Sequence, residues 1–333
     1  MRLLISGGLG FIGSNFIRYW LDKYKSDEIL NVDCQTYAGD VKNVAGVDEV
    51  RYFSSPTSIW DKDELIQIFY NWRPMVVVHF AAESHVDNSI HGPRVFLETN
   101  IMGTHNMLEA CRAYMAAEPG RLIRFHHVST DEVFGHLGPD DAPFNENTPY
   151  APRSPYAASK AASDHLVRAF GNTYGIPYSI SNCSNNFGPR QHDEKLIPTV
   201  IRKALQGEAI PIYGNGKNIR DWIYVDDHNR AIDLIVSRKK TENETFCIGG
   251  DLEFTNIELA EMLCEILDDI KPKAVGSYKD QITFVEDRKG HDFRYAINNI
   301  KIRELGWCPF DDFGRNFENT VKWYIEKYQG NNL

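Results

Sequence analysis

Tyr156 and Lys160 stand four residues apart in Pro155-Tyr156-Ala157-Ala158-Ser159-Lys160, an Ala-rich stretch whose helix propensity puts both side chains on one face. An ammonium group near a phenol favours the phenolate, so the pair offers a base at neutral pH, more so beside a second positive charge. Thr130-Asp131-Glu132 follows the apolar run Leu122–Ser129. Two adjacent carboxyls kept in different protonation states can divide acid and base work between them. The residues alone establish that the two carboxyls are available, not which does which.

The elements that must position these groups begin with Gly7-Gly8-Leu9-Gly10-Phe11-Ile12-Gly13, directly after the strand-like Arg2–Ser6. Glycines at 7, 10 and 13 allow a tight turn, close approach of a pyrophosphate to the backbone, and close packing of the following helix on the strand. Asp33 lies about twenty residues further on, where a carboxylate accepts hydrogen bonds from adenosine ribose hydroxyls and repels a 2′-phosphate. No Arg or Lys follows at positions 34 to 36, so the pattern selects NAD over NADP. Further strands are expected at Ile29–Asp33, Val50–Ser54, Met75–Phe80 and Leu122–Ser129, with helices at Phe11–Tyr24, Asp63–Trp72 and Val95–Met115. The unbroken run Val76-Val77-Val78-His79-Phe80 reads as a strand buried on both faces. The fold class is therefore α/β, a doubly wound Rossmann-type parallel sheet with a smaller α/β substrate-binding lobe. The expected division gives residues 1–184 to the cofactor domain, with 222–248 returning to it as a helix (Trp222–Val236) and a strand. Residues 185–221 and 249–333 form the second lobe.

Composition narrows the classes. Lys plus Arg number 36 against 46 Asp plus Glu, a net charge of −10, which argues against a broad grip on nucleic acid or anionic membrane. A local cluster of Arg and backbone N–H groups can still hold a phosphate-bearing small molecule. Cys34, Cys111, Cys183, Cys247, Cys264 and Cys308 are scattered, without zinc spacing, and are expected to be free thiols in the cytoplasm. No metal is expected. His126 and His127 adjoin on one strand and point to opposite faces, which suggests core packing or capping. Trp307 and the aromatics of Trp323–Tyr328 are expected to pack around a C-terminal helix.

The Gly loop followed by Tyr-x-x-x-Lys identifies an extended short-chain dehydrogenase/reductase. Ala81-Ala82-Glu83-Ser84-His85-Val86-Asp87, Ser129–Gly135, Asn182–Pro189, Glu194–Pro198, Pro211–Gly214, Ile219–Trp222 and Asp287–Asp292 make nearly the whole chain resemble the dTDP-glucose 4,6-dehydratase family. The resemblance implies a hydro-lyase that oxidises C4 of a nucleoside-diphosphate sugar, eliminates water across C5 and C6, and returns hydride to C6. It assigns Tyr156 to the C4 hydroxyl proton, Lys160 to the nicotinamide ribose, Thr130 to a hydrogen bond with the C4 hydroxyl, Asp131 to the acid and Glu132 to the base. NAD would then meet Gly7, Gly10, Phe11, Ile12, Gly13, Asp33, Cys34, Thr36, Ser58, Ile59, Phe80, Ala81, Ala82, Ser84, Thr99, Tyr156, Lys160 and Asn186. The sugar nucleotide would meet Ser84, His85, Thr130, Asn185, Glu194, Lys195, Leu196, Pro211, Ile212, Tyr213, Arg220, Asn256, Arg288 and His291, with Arg220 and Arg288 on the diphosphate. A homodimer through a four-helix interface, built from helices near 95–117 and 154–174, is also implied.

Three positions depart from the family pattern. Ser58 precedes Ile59 where Asp is common, Phe134 replaces a frequent Tyr at the expected pocket rim, and Arg190-Gln191-His192-Asp193 precedes Glu194 where an aromatic and a proline are usual. These leave open a 4,6-dehydratase acting on a UDP-sugar or another nucleoside-diphosphate hexose. More distant alternatives are a 4-epimerase, against which Asp131-Glu132 speaks, and a non-catalytic NAD-binding protein.

Overall fold

Strands covered on both faces must carry apolar side chains on both, and the computed structural model, which describes residues 1–288, 290–310 and 312–330, gathers such strands into one sheet. The strands are β1 (Arg2–Ser6), β2 (Glu28–Val32), β3 (Tyr52–Ser55), β4 (Val76–His79), β5 (Arg124–Thr130), β6 (Tyr178–Cys183), β7 (Asn185–Phe187), β8 (Ile210–Tyr213), β9 (Ile219–Tyr224), β10 (Glu244–Ile248), β11 (Glu253–Thr255) and β12 (Ile282–Val285). The helices are α1 (Phe11–Lys23), α2 (Lys62–Trp72), α3 (Val86–His91), α4 (Pro93–Phe96), α5 (Thr104–Ala117), α6 (Pro155–Tyr174), α7 (Leu196–Gln206), α8 (Val225–Val236), α9 (Asn256–Ile270), α10 (Ile300–Arg303) and α11 (Phe313–Tyr328).

Seven parallel strands run in the order β10-β6-β5-β4-β1-β2-β3, as expected for a doubly wound sheet. Alternate residues feed opposite layers. Leu4, Val77 and Phe125 pack with α2, α5 and α6, whereas Leu3, Val76 and Val78 pack with α1 and α8. Burying each such side chain stabilises the fold by about 1.5–3 kcal/mol. The strand order reverses between β1 and β4, and ligands of open α/β sheets bind at the carboxyl ends beside such a reversal.

A second apolar cluster joins Phe187, Ile201, Leu263, Phe317 and Tyr324, bringing together α7, α9 and α11 beside the small sheets β11-β9-β7 and β12-β8. Trp307 is not part of it. Its ring is buried with Ile223 and Ile235, and its Nε1 donates to Asp227 O (3.0 Å), so it packs on α8 rather than on the C-terminal helix. Tyr324 does belong to the C-terminal helix core.

Two expected helices differ. Residues 222–224 end β9 rather than begin a helix, because Asn185 pairs with Trp222 across β7 and β9. The helix expected at Val95–Met115 contains a π-helical stretch, Leu97–Gly103, between α4 and α5. Asn100 is buried there, its amide donating to Glu83 O (3.0 Å) and Ser159 Oγ (2.8 Å). Such wide turns concentrate at functional sites. Among the described residues no helix is long and apolar enough to cross a membrane, no His/Cys/Asp/Glu group is arranged to hold a metal, and all six cysteines are free.

Candidate active site

The glycine loop leaves β1 at the strand-order reversal, and a side chain at position 7 or 13 would close it. Gly7 has φ +76°, and a Cβ there would lie 2.6 Å from Ala81 N; at Gly13 it would lie 2.4 Å from Gly7 O. Gly10 caps α1 without any side-chain partner, so the first-turn N–H groups remain available to an anion. Asp33 accepts from the backbone of Leu9 (2.8 Å) and Gln35 (2.8 Å), which holds its carboxylate at the end of β2. A cavity of about 430 Å³ runs from this loop across the ends of β2, β4, β5 and β6, and every residue expected to meet NAD lines it. The open helix end, the glycines without space for a Cβ and the carboxylate beyond them fit a dinucleotide.

The same cavity is lined by Thr130, Asp131, Glu132, Tyr156 and Lys160. Parallel pairing sets Thr130 opposite Cys183 at the rim of the sheet. The Thr130 hydroxyl accepts from Glu132 N (3.3 Å) and donates to Asp131 Oδ1 (3.3 Å), capping a short 3-10 turn that presents both acids. Helix α6 starts at Ser154, whose hydroxyl accepts from Ala157 N (3.0 Å), with Pro155 in its first turn. It ends at Gly175, where φ is +70°. Tyr156 and Lys160 both lie on its buried face, as their spacing requires.

The two acids differ in surroundings. Asp131 is 1 % exposed; burial pushes its carboxyl well above the usual range, and neighbouring Glu132 and Asp221 push it further. Burial also raises Glu132, but Arg288, Arg220 and Lys195 pull it back. Tyr156 is raised by burial and by Glu132, while Thr130 acts in the opposite direction. Burial brings Lys160 down to about 8. Its ammonium donates to Val128 O (2.8 Å) and lies 3.5 Å from His127 Nε2.

The residues expected on the sugar-nucleotide side divide into two groups. Ser84, Thr130, Asn185, Glu194 and Lys195 line the cavity, and Lys195 Nζ donates to Ser84 O (3.0 Å) across it. His85, Leu196, Pro211, Ile212, Tyr213, Arg220, Asn256, Arg288 and His291 do not line it. Arg220 is buried over the Tyr295 ring and donates to Asp292 O (3.0 Å); Arg288 lies 3.5 Å from Asp87 Oδ1. Both nevertheless face Glu132 electrostatically. His291 pairs with Asp287 (2.7 Å) and is lowered to about 4 by burial and by Arg288. Tyr213 is exposed, Ile212 is buried in the second-lobe core with Leu196 packed against it, and the Asn256 backbone donates to Asn218 O. Lys289, inside the Asp287–Asp292 motif, lies outside the described residues.

Of the departures, Ser58 lines the cavity, whereas Phe134 is buried against Phe144 and Tyr150 and does not. Phe134 is thus a core residue and not a rim position: the 3-10 turn that holds Asp131 and Glu132 turns its ring inward. Arg190 is turned away onto Asn15 Oδ1 (3.0 Å) and the Trp323 ring, while Gln191 and His192 line the cavity.

Sequence reasoning missed Asn100, His127 and Asp164. Asp164 follows Lys160 by one more helical interval, so the spacing 156, 160, 164 carried the signal. His127 is buried as expected, but it faces charged groups: Asp164 lies 3.4 Å away and Lys160 3.5 Å away. The alternation expected of the histidine pair holds for His126, which bonds Ser179 (2.9 Å) and Ser181 (3.1 Å) of β6.

The profile of the GDP-mannose 4,6 dehydratase family matches residues 4–320. The chain is 48% identical to dTDP-glucose 4,6-dehydratase of Neisseria meningitidis serogroup B, an alignment covering 98% of this chain and 93% of that one. It is 49% identical to the dTDP-glucose 4,6-dehydratase of Salmonella typhimurium, over 99% and 94%. Among solved structures it is similar to DesIV, a dTDP-glucose 4,6-dehydratase from Streptomyces venezuelae solved with NAD bound, with a TM-score of 0.90, 42% identity and coverage of 99% and 98%.

Proposed function

The chain belongs to the dTDP-glucose 4,6-dehydratase family, and from that premise we propose that it converts dTDP-glucose to dTDP-4-keto-6-deoxyglucose and water, using NAD. The observation that carries this reading is the different surroundings of two adjacent carboxyls: Asp131 is buried, pushed up by Glu132 and Asp221 and opposed by Arg220 as its one facing cation, whereas Glu132 is faced by Arg288, Arg220 and Lys195. A simple epimerase needs no such division, because hydride leaves and returns at C4. A dehydratase must both take the C5 proton and protonate the departing C6 hydroxyl.

When bound, the oxidised nicotinamide supplies the hydride acceptor for C4, a positive charge that lowers the Tyr156 phenol, and the hydride returned to C6. Gly7, Gly10 and Gly13 would hold the pyrophosphate at the start of α1, and Asp33 would take the ribose hydroxyls. Tyr156 accepts the C4 hydroxyl proton, with Thr130 hydrogen-bonded to the same oxygen, and Lys160 would hold the nicotinamide ribose. Glu132 removes the C5 proton, and a proton is delivered back to C5 once C6 has received the returned hydride. Asp131, kept protonated by burial, gives its proton to the C6 oxygen as water leaves. Arg220 and Arg288 are assigned to the diphosphate; their electrostatic reach to Glu132 supports a place beside the reacting sugar.

The proposed division keeps 1–184 and 222–248 as the cofactor domain and the remainder as the sugar-nucleotide lobe. The proposed homodimer uses helices near 95–117 and 154–174, supported by exposed Val95, Leu97, Met102 and Tyr174. Free cysteines accord with the cytoplasm as its place.

Incubating the protein with dTDP-glucose, UDP-glucose, UDP-N-acetylglucosamine and other nucleoside-diphosphate hexoses, followed by mass spectrometry, tests the reading. Loss of one water from dTDP-glucose is expected. Loss only from a UDP-sugar would transfer the reaction to another nucleotide, and no loss from any of them would overturn the dehydratase assignment.

A further inference from the structure

Lys160 places its ammonium in one of the most enclosed parts of the chain, at 4 % exposure, and a buried cation needs a compensating charge to persist. Val128 O offers a dipole but no charge. The neighbouring carboxylate is Asp164, one helical interval along α6, fully buried and with His127 between it and the ammonium. We propose that Asp164, with His127 as a neutral spacer, is the counter-charge that keeps Lys160 in its ammonium form and held against β5, making Asp164 and His127 positioning residues for the Tyr156–Lys160 pair.

The hydrogen bonds separate this role from ordinary core packing. Asp164 Oδ2 collects Ser129 Oγ (3.0 Å), the Tyr150 hydroxyl (2.7 Å) and Asn182 Nδ2 (3.1 Å), which together stabilise a charged carboxylate without neutralising it. Its other oxygen, Oδ1, has no hydrogen-bond partner and lies 3.4 Å from His127 Nε2, the ring nitrogen that also faces Lys160 at 3.5 Å. Arg168 is the cation on the far side, but the Tyr150 hydroxyl stands between them. Arg168 donates to that hydroxyl (2.8 Å) and to Thr245 Oγ1 (3.1 Å), and among the described residues it makes no ion pair with Asp164.

The other groups facing this cluster do not supply the missing negative charge. From β4, His79 lies tilted against His127 with ring centroids 5.3 Å apart, and burial keeps it neutral. From β6, the Cys183 thiol is pushed up to about 12 by burial, so it stays protonated at neutral pH. Tyr156 on α6 is raised likewise. His127 is brought down to about 4, chiefly by burial and then by Lys160, so its ring is neutral in the working range. Asp164 is lowered despite its burial, which works against ionisation, by His127, Lys160 and Tyr150.

The inference rests on the role given to Lys160 above, and its test reads charge separately from turnover. Protein carrying lysine labelled with carbon-13 at Cε is titrated by NMR, with the Lys160 signal assigned by its loss in Lys160→Met. In Asp164→Asn the Lys160 midpoint should fall by about one pH unit or more, the size expected for losing a nearby opposite charge. The alkaline limb of kcat should move down with it, and Asp164→Glu should restore both. An unchanged midpoint in folded Asp164→Asn overturns the proposal, whatever happens to thermal stability. Should Asp164→Asn fail to fold, Lys160→Met reports the same coupling from the other side. The Asp164 carboxyl, followed by carbon-13 at Cγ and freed of the ammonium, should titrate about one pH unit or more higher, and an unmoved Asp164 overturns the proposal. A moved Lys160 midpoint in a protein that dehydrates no sugar nucleotide would leave the charge pairing standing and remove the dehydratase reading instead.

Discussion

The cofactor side and the sugar side of the cavity are built in different ways. On the cofactor side the shape is made by backbone: Gly7 and Gly13 leave no room for a Cβ, the start of α1 is uncapped, and Asp33 is pinned by two backbone N–H groups. On the sugar side the character comes from long side chains brought from separated segments, Lys195 before α7, Arg220 on β9 and Arg288 after β12. A backbone site tolerates little change of shape, whereas a side-chain site can lose one group and keep the rest. Tyr156, Asp131 and Glu132 lie where the two halves meet.

The largest effect should come at that junction. Tyr156→Phe is expected to lower kcat by about 10²–10⁴-fold, the usual contribution of a positioned acid–base group, with NAD binding retained; steady-state rates and NAD titration check both. A variant of near-normal kcat would remove the phenol from the chemistry. Glu132→Gln should cost about 10²-fold or more, with C4 oxidation surviving. A spectroscopic trace of reduced nicotinamide building up on mixing, without loss of water from the sugar, is the expected signature.

Gly13→Ala tests the backbone half. A Cβ 2.4 Å from Gly7 O forces the loop to shift, and overpacking of about 1–3 kcal/mol corresponds to NAD affinity weaker by about 5–150-fold. Equal NAD affinity measured by calorimetry would show that the loop is more pliable than its contacts imply. Arg288→Ala tests the side-chain half and should be milder, raising KM by about tenfold, as loss of one charge-assisted hydrogen bond predicts. It also carries a pH signature. Glu132 must be ionised to act as base, and Arg288 is the cation that most favours its ionised form. Removing Arg288 should therefore move the acid limb of kcat to higher pH. An unmoved limb would separate Arg288 from Glu132. The smallest effect is expected of Phe134→Tyr, because the ring is buried away from the cavity; kcat/KM should change by less than about twofold unless the added hydroxyl, left without a partner, loosens the core.

The same contrast governs what could be read in advance. The β1–loop–α1 unit, the parallel sheet and the shared face of Tyr156 and Lys160 depend on spacing within short segments, and such spacing is visible in the chain. The π-helical stretch at Leu97–Gly103 was not, because it answers to distant partners: Asn100 reaches Glu83 and Ser159, and Gly103 makes room for Ile59. Phe134 was misplaced for a related reason, since adjacency to Asp131 and Glu132 says nothing about which way a tight turn points the next ring.

The sequence by itself determined the inventory: a glycine loop for a dinucleotide, an acid after the second strand, two adjacent carboxyls, and a phenol and an amine one helical interval apart. Only the tertiary structure decided their charge states. Asp131 is raised because the fold buries it, Glu132 is held back because three cations from remote segments reach it, and Lys160 sits beside Asp164 because α6 packs onto β5 with His127 between them. Protonation depends on burial and on charges a few ångströms away, and those are distances through space that adjacency along the chain does not encode.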